Sequence, residues 1–196
     1  MKLIVITSPE NVENEHEILI RLFESGLETL HVRKPGFSLI EFKLWISKIP
    51  ANFHARLMLH SHHQLAETYV IKGLHFPEIM RKMAVKNALS NLVYSTSFHA
   101  LTELQNPDPF FDYAFLSPVF DSISKQGYLA AFSEKELKNT LSTAKLPVYA
   151  LGGVTVENLE KVSEMGFNGA AVLGSIWQSE DPVKAFSQLR VKSLEL

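Results

Sequence analysis

The sequence predicts an α/β protein that folds as a (β/α)₈ barrel, a TIM barrel, in a single domain over residues 1–196. Three observations support this prediction. Short apolar runs that resemble buried strands alternate with segments whose apolar residues recur at helical spacing, which is typical of a parallel sheet. The alternation occurs eight times, without a linker or low-complexity tract. The last two strands each end at a glycine turn, where such barrels commonly bind phosphate.

Each predicted strand is a short apolar run of the kind that is buried on both faces. In chain order the predicted strands are Leu3–Thr7, Thr29–Arg33, Arg56–His60, Gly73–Phe76, Leu92–Ser97, Asp112–Leu116, Leu146–Leu151 and Gly169–Leu173.

The predicted helices lie between these strands. Ser38 with Glu41, and Ser133 with Glu136, have the spacing of a capping box. Proline at the first helical position explains why the last helix opens at Pro182. The predicted helices are Asn14–Glu24, one after Ser38, Gln64–Ile71, part of Ile79–Leu89, one that begins at Leu101–Leu104, Ser133 to about Leu141, one after Thr155, and Pro182 to about Leu189.

An open, doubly wound sheet is the alternative to a barrel. Against it, no G-x-G-x-x-G motif follows the first strand. The chain is slightly short for a barrel at 196 residues, but eight units match the barrel count.

Composition excludes several classes of protein. The net charge of −2 does not favour nucleic acid or an anionic membrane as a partner. The absence of cysteine excludes a disulfide framework and a thiolate metal site. No apolar run approaches a membrane span, and the N-terminal run is too short for a signal peptide. We therefore expect a cytoplasmic protein that acts on small molecules. The sequence does not determine its oligomeric state, and a homo-oligomer is one possibility.

The two C-terminal units carry the strongest functional signal. One strand runs into Gly152-Gly153 and the next into Gly174-Ser175, with a helical pattern behind each turn. Glycine lets a backbone approach a ligand closely, and helix N-termini offer free N–H groups to anions. The repeated arrangement predicts one shared phosphate site.

Polar side chains at the other strand ends are expected at the same mouth of the barrel. Arg33 ends a strand, which favours a phosphate clamp over an ion-paired surface arginine. Lys125 lies in a polar loop and either closes over a phosphate or is surface charge. The full set is Thr7, His31, Arg33, His60, His75, Ser97, His99, Ser117, Ser122, Ser124 and Lys125.

The histidine-rich run His60-Ser61-His62-His63 has the look of a metal-ligand motif. Adjacent residues on a strand point to opposite faces, however, and no carboxylate ligand accompanies the run. A neutral, hydrogen-bonded or exposed histidine is therefore favoured for each position taken singly.

Six segments in this order resemble the thiamine phosphate synthase family, which includes the thiazole tautomerases. The resemblance covers nearly the whole chain and implies a TIM barrel. The segments are His31–Lys34, Ser97–His99, Asp112–Phe120, Ser122–Lys125, Pro147–Gly153, and Gly169–Trp177 followed by Pro182.

The resemblance implies a transferase of thiamine biosynthesis that joins hydroxymethylpyrimidine pyrophosphate to thiazole phosphate, releases pyrophosphate and uses Mg²⁺. By position it implies that Arg33 contacts pyrophosphate and that Ser97 lies at the pyrimidine–pyrophosphate site. Lys125 and Arg33 would stabilise charge on departing pyrophosphate from opposite sides. The residues implied to hold phosphate groups are Ser122, Ser124, Lys125, Gly152, Gly153 and Gly174.

The chain departs from the synthase pattern at its implied metal site. His60-Ser61 stands where synthases have Asn-Asp, which removes a carboxylate. Of the residues near the second family aspartate, only Glu78 offers a replacement. Because Mg²⁺ prefers oxygen ligands, usually carboxylates with substrate phosphates, we expect weak or absent Mg²⁺ dependence.

A second departure keeps other functions open. His31 stands where synthases have glutamine and is closer to the tautomerase pattern, but the tautomerase histidine of the sixth turn falls on Pro118. A metal-independent thiazole tautomerase would therefore move its proton with His31 or His99. The remaining alternative is a non-catalytic binder of thiamine precursors.

Overall fold

The computed structural model describes residues 1–83, 91–121 and 130–196 of the chain. Eight strands form a closed barrel in chain order, which confirms the predicted fold. Neighbouring strands pair in parallel, and the last strand pairs with the first. The strands are β1 (Lys2–Ile6), β2 (Leu30–Val32), β3 (Leu57–Leu59), β4 (Gly73–Phe76), β5 (Val93–Phe98), β6 (Tyr113–Leu116), β7 (Val148–Leu151) and β8 (Gly169–Val172).

Six α-helices lie among the described residues, and their starts follow the local sequence. Both predicted capping boxes form, at Ser38 and at Ser133. The Asp181 carboxylate accepts two backbone N–H bonds at the start of the last helix. The helices are α1 (Glu15–Glu24), α2 (Leu39–Ser47), α3 (Glu134–Leu141), α4 (Leu159–Glu164), α5 (Gly174–Trp177) and α6 (Pro182–Leu194).

The helices predicted between β3 and β6 form, in their described parts, as short 3₁₀ helices and not as α-helices. After β3, His62 adopts a left-handed conformation and the Leu65 N–H bonds back to its carbonyl, so the connection closes by tight i to i+3 bonds. Residues 84–90 of the predicted Ile79–Leu89 helix lie outside the described residues. The 3₁₀ helices are Ala51–Arg56, His63–Glu67, Glu78–Met83 and Leu101–Leu104.

Two further boundaries differ from expectation. The α4 helix begins after Asn158 and not after Thr155, because the Asn158 amide oxygen accepts the Thr155 N–H and its nitrogen donates to the Gly153 carbonyl. The last helix continues past Leu189 to Leu194.

Apolar side chains pack in two layers. A large cluster fills the space between the barrel and its outer helices. A smaller cluster fills the barrel itself and includes Ile4, Met58, Tyr113, Phe115 and Tyr149. No helix in the described ranges combines the length and apolar character that a membrane crossing requires.

Candidate active site

A cavity of about 370 Å³ opens at the carboxyl ends of the strands. It brings together seven of the predicted site residues: Arg33, Glu78, Ser97, His99, Gly152, Gly153 and Gly174. A larger cavity of about 450 Å³ lies at the opposite end of the barrel and is lined by Lys2, Lys72 and Arg190 among others. None of the predicted site residues lines it, and in this fold chemistry resides at the carboxyl ends.

Arg33 stands just beyond β2, on the wall of the cavity. The buried Thr7 hydroxyl fixes its backbone, because it accepts the Arg33 N–H at 2.8 Å and donates to the Arg33 carbonyl at 3.1 Å. Within residues 1–83, 91–121 and 130–196, the Arg33 guanidinium has no hydrogen-bond or ion-pair partner. It is therefore an available cation in the cavity wall.

The glycine turn after β7 is required by its backbone conformation and by close packing. Gly152 and Gly153 have φ angles of 95° and 65°, a region that favours glycine. A Cβ on Gly153 would lie 2.2 Å from the Asp121 carbonyl oxygen. The turn is held against the β6 loop by Phe120 N–H, which donates to the Gly152 carbonyl at 3.1 Å.

The turn after β8 carries a polar atom without a protein partner. Gly174 lines the cavity, and Ser175 follows it in the first turn of α5. The Ser175 hydroxyl oxygen is buried and has no hydrogen-bond partner among the described residues. Such a group costs free energy unless something satisfies it, and a phosphate oxygen at this turn would do so.

His99 is exposed at the rim of the cavity. Its Nδ1 lies 3.0 Å from the Ser117 carbonyl oxygen. A carbonyl only accepts, so Nδ1 carries the proton and Nε2 of the neutral ring keeps its lone pair. The Glu103 carboxylate fixes the backbone by accepting the N–H groups of His99 and Ala100. His99 therefore presents Nε2 as a proton acceptor at the rim, on a backbone that Glu103 holds in place.

The other predicted histidine, His31, lies inside the barrel and not at its mouth. It sits in the middle of β2 and is 0% exposed. Its Nδ1 lies 2.9 Å from Nε2 of His60, and its Nε2 lies 2.6 Å from the Tyr113 hydroxyl oxygen. Direct contact between His31 and a ligand in the cavity would require another group to move.

His31, His60 and His75 form what we call the three-imidazole cluster, with one nitrogen of each within 4.8 Å of the others. Burial is the main cause that lowers the pKa of His75 to about 3. Burial also lowers the pKa of His31 and of His60 well below the usual value. All three rings are neutral near pH 7. His75 bonds to Ser95 and Ser97 through its two nitrogens, at 2.9 and 3.1 Å.

Three predicted site residues, Ser122, Ser124 and Lys125, lie outside the described residues. Their assignment to phosphate binding stays a prediction.

The sequence reasoning missed a buried ion pair beside Arg33. Lys34 Nζ lies 2.7 Å from Glu15 Oε1, and the two side chains are 1% and 6% exposed. Trp45 Nε1 donates to the other Glu15 oxygen at 3.1 Å. The sequence contains a signal for this pair, because Glu15 falls on the apolar face of α1 beside Leu19 and Leu22, where a charge needs a partner.

The sequence analysis also did not single out Tyr113, which hydrogen-bonds to His31. Its inward direction follows from strand alternation. Residues two apart on a strand face the same side, so Tyr113 faces the barrel interior together with Phe115.

The cavity does not fit Mg²⁺ well. Of the described residues that line it, Glu78 is the one carboxylate, and it is exposed on a 3₁₀ helix. At the other position where the resemblance implies a metal-binding aspartate, His60 and Ser61 offer an imidazole and an uncharged hydroxyl. Mg²⁺ demands oxygen ligands in octahedral geometry, so the residues present do not supply a protein site for it.

Comparisons with known proteins identify the family of this chain. The model of a family described as thiamine monophosphate synthase matches residues 3–176. A thiamine-phosphate synthase from Desulfitobacterium hafniense is 28% identical over 171 residues, which cover 84% of this chain and 83% of that protein. One from Prochlorococcus marinus is 26% identical over 195 residues, 95% of this chain, which spans only 54% of that protein.

A solved structure agrees with these sequence matches. The chain is similar to thiamine phosphate pyrophosphorylase from Bacteroides thetaiotaomicron, with a TM-score of 0.82, 30% sequence identity and 98% of each chain covered. Because the family model matches most of its length, this chain belongs to the thiamine monophosphate synthase family.

Proposed function

We propose that this chain is a thiamine phosphate synthase-like transferase, which joins hydroxymethylpyrimidine pyrophosphate to thiazole phosphate. The observation that carries the proposal is the Arg33 guanidinium, which has no partner among the described residues and faces the same cavity as the two glycine turns. One wall thus offers a cation and another offers backbone and hydroxyl donors. Two phosphorylated substrates need two such anion sites.

The chemistry requires charge stabilisation more than proton transfer. A bond forms between the thiazole nitrogen and the pyrimidine methylene carbon, and the bond from that carbon to a pyrophosphate oxygen breaks. Negative charge grows on the departing pyrophosphate, and a preorganised cation lowers the energy of that transition state. Arg33 takes this role, with Lys125 proposed to act from the loop after β6.

The thiazole phosphate is assigned to the turns after β7 and β8. Ser175 supports this assignment, since its buried hydroxyl lacks a partner in the described part of the chain. Ser97 is assigned to the pyrimidine end, and its half-buried hydroxyl lines the cavity 3.1 Å from His75 Nε2. Glu78 is the one side chain assigned to help a substrate-bound Mg²⁺, and no step above depends on that ion.

The test is to incubate the purified protein with both substrates, with and without Mg²⁺, and to measure thiamine phosphate by chromatography. We expect product in the unmodified protein and loss of most of it in Arg33→Ala. Arg21→Ala is the matched control, because Arg21 is exposed on α1, away from the cavity. Absence of product under both conditions would exclude the transferase.

His99 favours a second candidate, a thiazole tautomerase that needs no metal. Its Nε2 lone pair stands at the rim of the cavity, where a general base must lie to abstract a proton. Incubation of a thiazole carboxylate phosphate in D₂O, followed by NMR, tests it. Isomerisation with deuterium uptake that His99→Gln abolishes would support the isomerase.

If neither reaction occurs while thiazole phosphate still binds, the chain is a non-catalytic binder.

A further inference from the structure

The three-imidazole cluster is an unusual filling for a barrel of this kind. Such interiors are normally packed with branched aliphatic side chains. Here the side chains of His31 and His75 are 0% and 1% exposed and occupy that space. Polar groups in such a place cost free energy unless they are satisfied. Hydrogen bonds satisfy His31 and His75, but apolar packing does not explain three imidazoles that converge from β2, the end of β3, and β4.

We infer that the three-imidazole cluster binds one divalent transition-metal ion, for which zinc is the best fit. Three histidines with a fourth, open position form a common zinc site. Imidazole suits zinc, copper or nickel, whereas carboxylate, carbonyl and water suit magnesium. In the ranges that the structure describes, no acidic side chain joins this group. The chemistry of the donors thus selects against Mg²⁺.

One nitrogen pair is already close to the spacing that zinc requires, and one nitrogen of each of the three rings lies within 4.8 Å of the others. With Zn–N bonds of about 2.0–2.1 Å, tetrahedral geometry holds ligand nitrogens about 3.3 Å apart. His31 Nδ1 and His60 Nε2 are 2.9 Å apart and need to separate by only a few tenths of an ångström. The His60 ring stacks on His75 with centroids 4.1 Å apart and has to rotate away from it. His60 is only half-buried and lines the cavity.

Two of the three ligands already have the outer partners that metal-binding histidines need. A ligating imidazole donates its other N–H to a nearby oxygen, which fixes the ring and its tautomer. If His31 binds through Nδ1, its Nε2–H points at the Tyr113 oxygen, 2.6 Å away. If His75 binds through Nε2, its Nδ1–H points at the Ser95 oxygen, 2.9 Å away.

The cluster can be reached from the cavity. His60 and His75 line its floor beside Ser97, so an ion enters from the mouth and its open position faces the same space. A water molecule or an anionic oxygen fits as the fourth ligand. Metal binding needs no substrate, so the inference stands or falls independently of the proposed transferase activity.

The experiment is a calorimetric titration of chelator-treated, full-length protein with ZnCl₂ and, separately, with MgCl₂. We expect one zinc ion per chain and no detectable Mg²⁺ binding. His60→Ala should weaken zinc binding by about 100-fold or more, and Tyr113→Phe by about 10–100-fold, the range for loss of an outer partner. His62→Asn is the control and should bind zinc as the unmodified protein does. His62 lies outside the cluster, bonds to the Phe37 carbonyl, and has a left-handed backbone that asparagine tolerates.

A second measurement tests metal binding by the three-imidazole cluster even if the His60 variant does not fold. The unmodified protein loaded with Co²⁺ should show the visible absorption of a four-coordinate ion and three shifted imidazole resonances in its NMR spectrum. Absence of zinc binding by the unmodified protein would overturn the inference. So would binding that survives His60→Ala, or a Co²⁺ spectrum with fewer than three imidazoles.

Discussion

His31 and Tyr113 are joined across the barrel interior, with His31 Nε2 2.6 Å from the Tyr113 hydroxyl oxygen. The two residues lie on β2 and β6, four strands apart in the closed order. Burial raises the pKa of the Tyr113 hydroxyl, so it remains a phenol that can either donate or accept. This phenol can hydrogen-bond to either tautomer of His31. Through His31 it is connected to His60, which lines the cavity.

Arg33→Ala should weaken binding of a pyrophosphate-bearing ligand by about 1.5–3 kcal/mol, the range for hydrogen bonds to charged groups. The reason is that the guanidinium has no competing partner among the described residues and is available to the ligand. Isothermal titration with pyrophosphate measures the effect. Arg21→Ala should leave the affinity unchanged, and equal affinities for both variants would remove Arg33 from the site.

Lys34→Met should destabilise the protein by about 3–5 kcal/mol, because it leaves the buried Glu15 carboxylate without its partner. Adding Glu15→Gln should recover most of that loss, since an amide removes the charge and still accepts the Trp45 N–H. Urea denaturation of the two single variants and the double variant gives the comparison. Additive losses in the double variant would contradict a coupled pair.

Gly153→Ala should cost clearly more stability than Gly36→Ala. Both glycines have positive φ, at 65° and 85°, so both variants carry backbone strain of about 1–2 kcal/mol. A Cβ at Gly153 also meets the Asp121 carbonyl oxygen at 2.2 Å, whereas nothing lies within 4 Å of one at Gly36. Thermal unfolding of the two variants separates the backbone strain, which both carry, from the contact with Asp121, which only Gly153→Ala makes. Equal losses of stability in the two variants would show that the loop after β6 moves to accommodate the added methyl group at no cost.

Because of that contact, substitution of Gly153 is a poor probe of phosphate binding. Ser175→Ala is better, since it removes a hydroxyl that has no partner in the described residues and adds no bulk.

The metal-free protein should lose stability as the pH falls below about 6.5. Burial lowers the pKa of His75 to about 3, and lowers that of His31 and His60 as well. The unfolded chain regains ordinary imidazoles and binds protons that the folded chain does not, so acid favours unfolding. Each ring contributes up to about 1.4 kcal/mol per pH unit.

Urea denaturation between pH 7 and 5, with a chelator present, measures this slope. His75→Gln should reduce it, because that variant removes one titrating ring. A slope that His75→Gln leaves intact would mean that other groups govern the acid response.

The sequence predicted the barrel because each strand is a local pattern. All eight predicted strands overlap observed ones. The helices between β3 and β6 were predicted, but their 3₁₀ type in the described residues was not. Apolar spacing in Gln64–Ile71 fits a helix, but the tight turn at His62 and the length of the connection decide its type, and neither appears in that pattern.

The site was predicted in part. Arg33, Ser97 and His99 line one cavity because strand ends of a parallel barrel converge. The three-imidazole cluster was not assembled, although strand alternation places His31, His60 and His75 on inward positions. Distances across the barrel depend on register, such as the pairing of His31 with Met58. No local pattern contains that register.

The last prediction concerns the metal preference of the cavity and uses the double variant His60→Asn with Ser61→Asp. It removes one imidazole from the cluster and adds the carboxylate that the synthase pattern carries. Zinc affinity should then fall by more than the about 10–100-fold that loss of an outer partner costs, because two histidines remain of three. Mg²⁺ binding in the presence of pyrophosphate should become measurable, because a carboxylate and substrate oxygens are what that ion prefers. Ser61→Asn, which adds no charge, is the control. Titration with each ion measures both effects, and any synthase turnover should rise with Mg²⁺ in the double variant alone. Brisk, strictly Mg²⁺-dependent turnover by the unmodified protein would contradict this argument, since Glu78 and the substrates would then suffice to hold the ion.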